Sequence, residues 1–249
     1  MGSPLVNRCT SPTSYGFACP GAGTTLCRMQ LLAGALLERP PGPKYTSELR
    51  FAELAPRSPL PKGKTLAKWR SELGDAFELG LRVPESCWNT AAGPLRPSAD
   101  LDEGLRWLFE ATDALEPSLL VLATAARVST GARDRDRLRS FIDRLPRRAG
   151  TRIVWRATGL WEPESLQSLA SSLGIIGGFD PLDDPPPRGD LVYASLTAEG
   201  IRRSFSHALL LAVLDRVSGC HADFAYVTID SPQSFFEARL LQSLSEGHE

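Results

Sequence analysis

From Thr151 to Pro181 the chain reads TRIVWRATGLWEPESLQSLASSLGIIGGFDP. Ile153, Val154 and Trp155 suit a buried strand that ends in Arg156. Glu162-Pro163-Glu164 announces a helix. Proline fits the first turn, where its missing N–H is no loss, and acid is favoured at the positive end of the helix dipole. Gly174 closes that helix, and Gly-Ile-Ile-Gly-Gly-Phe enters a second strand ending at Asp180. Strand, helix and strand in succession build a parallel sheet. Arg156 and Asp180 then stand at the carboxyl ends of consecutive strands, where α/β folds place their chemistry.

The same alternation runs outward from this stretch in both directions. Further strands are expected over residues 29–37, 50–55, 77–83, 118–123, 190–196 and 224–229. Helices are expected over 45–49, 65–73, 100–113, 134–145, 204–217 and 235–244. Leu66, Trp69 and Leu73 share one helical face, and Leu101, Leu105, Leu108 and Phe109 recur at helical spacing. Eight strands with intervening helices predict an α/β fold, a (β/α)8 TIM-type barrel formed as a single domain by residues 29–245. The competing open doubly wound sheet would carry a Gly-rich phosphate loop after its first strand. Ala33-Gly34-Ala35-Leu36-Leu37 has no such pattern.

Residues 1–28 are rich in Ser, Thr, Pro, Gly and Cys and lack periodicity, which predicts a disordered tail. Met29 is a second candidate start of the chain. Cys9, Cys19 and Cys27 could in principle hold a metal, but they lack the close pairs of zinc sites, so free thiols are expected and no metal or other cofactor. Five cysteines in 249 residues do not form a disulfide framework. The formal net charge of −1 gives no global basic field, so neither nucleic acid nor a membrane surface is expected as a partner. No apolar run spans a bilayer and no signal-peptide pattern opens the chain, which leaves a cytoplasmic location.

Several segments, in order, resemble the YecE-like family, known as domain of unknown function 72. Arg50-Phe-Ala-Glu-Leu-Ala is similar to that family's T-V-E-I-N strand, and Thr65-Leu-Ala-Lys-Trp to its T-V-x-x-W helix. Phe77-Glu-Leu-Gly-Leu-Arg-Val-Pro resembles F-x-F-x-x-K-x-P. Ile153-Val-Trp-Arg followed by Trp161 resembles E-F-R-H-x-S-W, and Gly178-Phe-Asp-Pro a strand ending in A-D-P. Tyr226-Val-Thr-Ile-Asp-Ser resembles the closing Y-V-Y-F-N-N. The resemblance implies a TIM-type barrel and no settled activity, and it identifies the chain as a divergent, bacterial-type member.

The departures fall on the family's polar positions. Glu53 and Arg156 are kept. Arg82 replaces a lysine, Thr124 a glutamine, and Val154 and Ala157 stand where Glu and His flank the arginine. Ser195-Leu-Thr-Ala replaces R-L-H-G, Asp230-Ser231 replaces the Asn pair, and Leu32-Ala-Gly-Ala-Leu replaces G-T-S-G-W. A degenerate site on a persistent frame is therefore expected.

Glu53, Arg82, Arg156, Asp180 and Asp230 all fall near carboxyl ends of expected strands, with Trp161 following the fifth. Two guanidiniums among three carboxylates could grip a small anionic ligand, or could pair with one another with nothing bound. His207, His221 and His248 are not placed for chemistry at the barrel mouth, and Cys87 reads as a small buried hydrophobe. The arginines from Arg133 to Arg148 alternate with Asp134, Asp136 and Asp143, the pattern of a solvated helix face. Pro181 to Pro187 reads as a stiff loop over the mouth. The favoured function is a non-catalytic, ligand-binding or protein-interaction barrel. The alternative is an enzyme acting on a small anionic or sugar-like substrate, with Glu53 or Asp180 as base and Arg82 and Arg156 holding the anion.

Overall fold

The computed structural model describes residues 29–124, 126–200 and 203–247. The expected tail with its three cysteines, and His248, lie outside these residues. Eight parallel strands form the barrel: β1 (Gln30–Leu37), β2 (Phe51–Leu54), β3 (Glu78–Arg82), β4 (Leu119–Thr124), β5 (Arg152–Ala157), β6 (Ile176–Gly177), β7 (Leu191–Thr197) and β8 (Phe224–Asp230). Sequential neighbours pair, and β8 pairs with β1 from Gln30↔Phe224 to Ala35↔Ile229. The junction of β6 with β7 is a single bridge. The Phe179 N–H donates to the Tyr193 carbonyl at 3.2 Å, and the Ser195 N–H to the Phe179 carbonyl at 3.0 Å. The chain is thus the expected TIM-type barrel.

Seven helices surround it among the described residues: α1 (Pro43–Thr46), α2 (Gly63–Leu73), α3 (Ala99–Leu115), α4 (Ala132–Asp143), α5 (Pro163–Ser172), α6 (His207–Ser218) and α7 (Ser234–Gly247). Pro163 opens α5, and Gly174 follows it with φ +65°, a conformation cheap only for glycine. The Ser98 hydroxyl caps α3 by accepting from the Leu101 N–H at 3.2 Å. The longer helices bury a stripe against the outer wall, as Leu101, Leu105 and Leu108 do on α3.

No helix follows β6. Pro181, Pro185, Pro186 and Pro187 lie in that connection, and a proline inside a helix removes a donor and clashes with the preceding turn. The segment starts at the mouth beside Asp180, but its far end, Pro187 to Gly189, lines a cleft with Ile176 and Leu191 at the amino ends of the strands. It therefore runs down the flank in place of a helix and does not cover the mouth. The Arg216 guanidinium donates to the Asp184 carbonyl at 3.3 Å and ties it to α6.

Strand alternation divides the core in two. Leu31, Ala33 and Ala35 of β1 face the helices, whereas Leu32 faces the barrel axis with Phe51, Leu119, Val121, Val154, Tyr193 and Tyr226. Phe51 fills the centre, edge-on to Tyr226 with centroids 4.9 Å apart. Gly34 makes room for it, because a Cβ there would lie 2.5 Å from the Phe51 carbonyl oxygen. The lower barrel is thereby packed solid, and polar groups gather above it.

Candidate functional site

Glu53 is the third residue of β2 and points into the barrel above Phe51. It is fully buried. Gly80 stands beside it on β3, where a Cβ would come within 3.2 Å of the Glu53 Cγ. The carboxylate accepts three bonds: from Arg82 Nε at 2.6 Å, from the Tyr193 hydroxyl at 2.5 Å and from Thr228 Oγ1 at 2.8 Å. A buried carboxylate needs this many partners to be tolerated.

Burial alone would pull the Arg82 charge down, but the adjacent Glu53 carboxylate outweighs it and holds the guanidinium above its ordinary value. Tyr193 lies close enough to add to this, although its hydroxyl donates to Glu53. Burial first, and then the Glu53 charge, push the Tyr193 phenol upward, so it stays a neutral donor. Arg82 Nη2 and Ser195 Oγ are buried yet lack hydrogen-bond partners among the described residues. Ser195 follows Tyr193 on the inward face of β7 and pairs in register with Thr228.

An outer tier lies above. Arg156, half-buried on β5, donates from Nη2 to Thr197 Oγ1 at 3.2 Å. Gly178 of the β6 segment leaves space for it, since a Cβ there would sit 3.3 Å from Arg156 Cβ. Asp180 accepts the Leu182 N–H at 2.9 Å through Oδ1, and its own N–H donates to Asp184 Oδ2 at 2.8 Å. Burial raises the Asp180 pKa, and the Asp183 and Asp184 charges add to it. The Leu182 N–H and the Arg156 charge pull the other way. Asp230 ends β8 on the inward face, paired in register with Thr197. Behind the rim, buried Glu237 of α7 accepts the Phe205 N–H at 2.6 Å and the Ser231 hydroxyl, tying together the loops after β7 and β8.

The structure thus joins Glu53 to Arg82 directly and sets Arg156 beside Asp180. It does not bring Trp161 to them. That indole packs outside the wall, edge-on to Trp155 at 4.8 Å, and its N–H donates to the Val128 carbonyl at 2.9 Å. Tyr193 and Thr228 line the same space with no place among the sequence candidates, and Ser195 and Thr197, read from sequence only as replacements of a more polar motif, line it too. Their signal was a polar residue at every second position of otherwise apolar strands. Cys87 is fully buried, with its thiol pushed up to about 11 by burial. His207 is exposed on the first turn of α6, and His221 lies in the turn before β8. Two α4 arginines pair with acids, Arg137 with Asp134 and Arg139 with Asp136, as does Arg144 just after the helix with Asp102, whereas Arg135 donates to the Thr130 carbonyl. Among the described residues no three His, Cys, Asp or Glu side chains gather closely enough to hold a metal ion. None of their helices is long and apolar enough to cross a membrane.

No family model and no curated protein matches the sequence. Solved structures match the fold. A DUF72 family protein from Thermotoga maritima is 12% identical with a TM-score of 0.58, over 80% of this chain and 85% of that one. A second DUF72 protein, from Enterococcus faecalis, is 12% identical with a TM-score of 0.57, over 87% and 95%. Endonuclease IV from Thermus thermophilus is 10% identical with a TM-score of 0.52, over 87% and 100%. The fold is therefore DUF72-like, as the motif order suggested. The exclusion of nucleic acid as a partner does not stand, because an endonuclease shares this fold over its whole length. A net charge of −1 describes the far field only, whereas contact with phosphates depends on local groups.

Proposed function

We propose that this barrel binds a small polar molecule, sugar-like or carrying one anionic group, at the carboxyl ends of its strands, and that Glu53 does not act on it as a base. The observation that carries this reading is Arg82. Its Nε is spent on Glu53, while its Nη2 stays buried and unpartnered beside the inward face of the barrel. A donor left in that position costs free energy that a ligand oxygen would recover. Ser195 offers a second such group, and Arg156 and Asp230 line the approach. Three of the roughly four acceptor sites of the fully buried Glu53 carboxylate are already taken by protein donors, which argues against a role as base. Thermal-shift screening with sugars, sugar acids, sugar phosphates and inorganic phosphate tests this. A hit should stabilise the protein, and Arg156→Ala should abolish the shift. An undiminished shift in that variant would sink the reading.

A second reading, that the same face handles nucleic acid, takes its support from the likeness to endonuclease IV. Gel-shift titration with single- and double-stranded oligonucleotides at low salt separates the two. Retardation that Arg156→Ala weakens favours the second.

A further inference from the structure

Beside the barrel mouth, the loops after β1 and β2 and the first turns of α2 line a separate, half-open cavity of about 430 Å³. That is within the range of small-molecule sites. Trp69 of α2 lines it, together with three prolines of the β2–α2 loop and Thr65. The loop is braced from behind, where the Trp107 indole donates to the Pro61 carbonyl at 2.8 Å. No hydrogen-bond partner occupies the Trp69 indole N–H or the Thr65 hydroxyl among the described residues.

Charge distinguishes this cavity from the mouth. Its lining carries Arg39 and Arg57 against Glu38, a net of +1. The inward groups of the mouth, Arg82 and Arg156 against Glu53, Asp180 and Asp230, sum to −1 when all are ionised. Arg57 bonds Glu38 at 2.5 Å, but both side chains are mostly exposed, so a ligand anion competes with that pair at little cost. Arg39 has no ion-pair partner among the described residues. We infer that this cavity binds a nucleoside monophosphate unit, its base against Trp69 and its phosphate on Arg39 and Arg57. A flat indole and rigid prolines suit an aromatic ring of any identity, and exposed guanidiniums suit a phosphate.

The test is a tryptophan-fluorescence titration of the full chain with AMP, adenosine, inorganic phosphate and a short single-stranded oligonucleotide. AMP should quench saturably, with adenosine and phosphate each at least about tenfold weaker. Trp69→Phe, which keeps a ring against the core, should remove the quench. Arg39→Ala, at an exposed position, should weaken AMP about five- to tenfold. Tighter binding of the oligonucleotide than of AMP assigns the unit to a strand, and the reverse to a free nucleotide; both support the site. Absence of saturation at millimolar AMP, or a quench that survives both substitutions, overturns it. Loss of the quench in Arg156→Ala would move the ligand into the barrel mouth and also overturn it.

Discussion

Glu53 and Asp180 have the same chemical group and lie in two tiers of one barrel mouth, yet their surroundings differ. Glu53 is fully buried, and its three donors come from β3, β7 and β8. Asp180 is half-buried, and the bond its carboxylate accepts comes from a backbone N–H two residues along its own loop. The inner carboxylate is bound by the closure of the barrel and serves as a structural hub. The outer one is held locally, its charge is disfavoured by burial, and its counter-charge Arg156 keeps spare donors. The pKa shift of a carboxylate lies in the outer tier, and the cross-strand bracing lies in the inner one.

The largest effect expected from this contrast is in the inner tier. Arg82→Leu would leave Glu53 buried without its cation and should cost about 3–5 kcal/mol in urea unfolding. A loss below about 1 kcal/mol would erase the distinction between tiers. Tyr193→Phe keeps the ring but removes one donor to a buried carboxylate. It should cost about 1.5–3 kcal/mol, and a double-mutant cycle with Thr228→Val should show coupling between the two donors.

Asp180→Asn should act in the opposite direction. Its native pKa is raised, so between the ordinary and the raised value the folded state binds more protons than the unfolded one. Its stability contribution is full below the ordinary value and is lost as pH rises through the native one. Asparagine keeps an acceptor for Leu182 without the charge. The variant should gain well under about 1 kcal/mol at neutral pH, the group being partly open to solvent, and should flatten the stability profile in weak acid. A steeper profile in the variant would show that the sign is wrong. Arg156→Ala should change stability least, by about 0.5 kcal/mol or less, while removing ligand-induced stabilisation. Differential scanning fluorimetry reads both quantities in one experiment.

The elements were legible because each rests on local physics. Pro163 and Gly174 bound α5 within a residue or two of the expected ends, and Ile153 to Trp155 lie in β5 as read. β6 is shorter than the strand expected to end at Asp180. Only Ile176 and Gly177 pair with β5, and Phe179 joins β7 by one bridge, because Gly177 and Gly178 supply no side chains to pack. The site was half legible. Glu53, Arg82, Arg156, Asp180 and Asp230 could be placed at strand ends by counting. Trp161 was misplaced because an aromatic residue after a strand end gives no sign of which side of the wall it takes. Here the buried Trp155 face and the Val128 carbonyl draw it outward.

By itself the sequence determined an eight-stranded α/β barrel, the polar residues at its strand ends, and a proline-rich connection that could not become a helix. Those follow from periodicity, caps and backbone chemistry within a few residues. Only the tertiary structure decided which donors Glu53 meets. Its partners lie 29, 140 and 175 positions away along the chain. Which inward side chains meet is set by the stagger of the strands when the barrel closes, a relation that no local pattern carries.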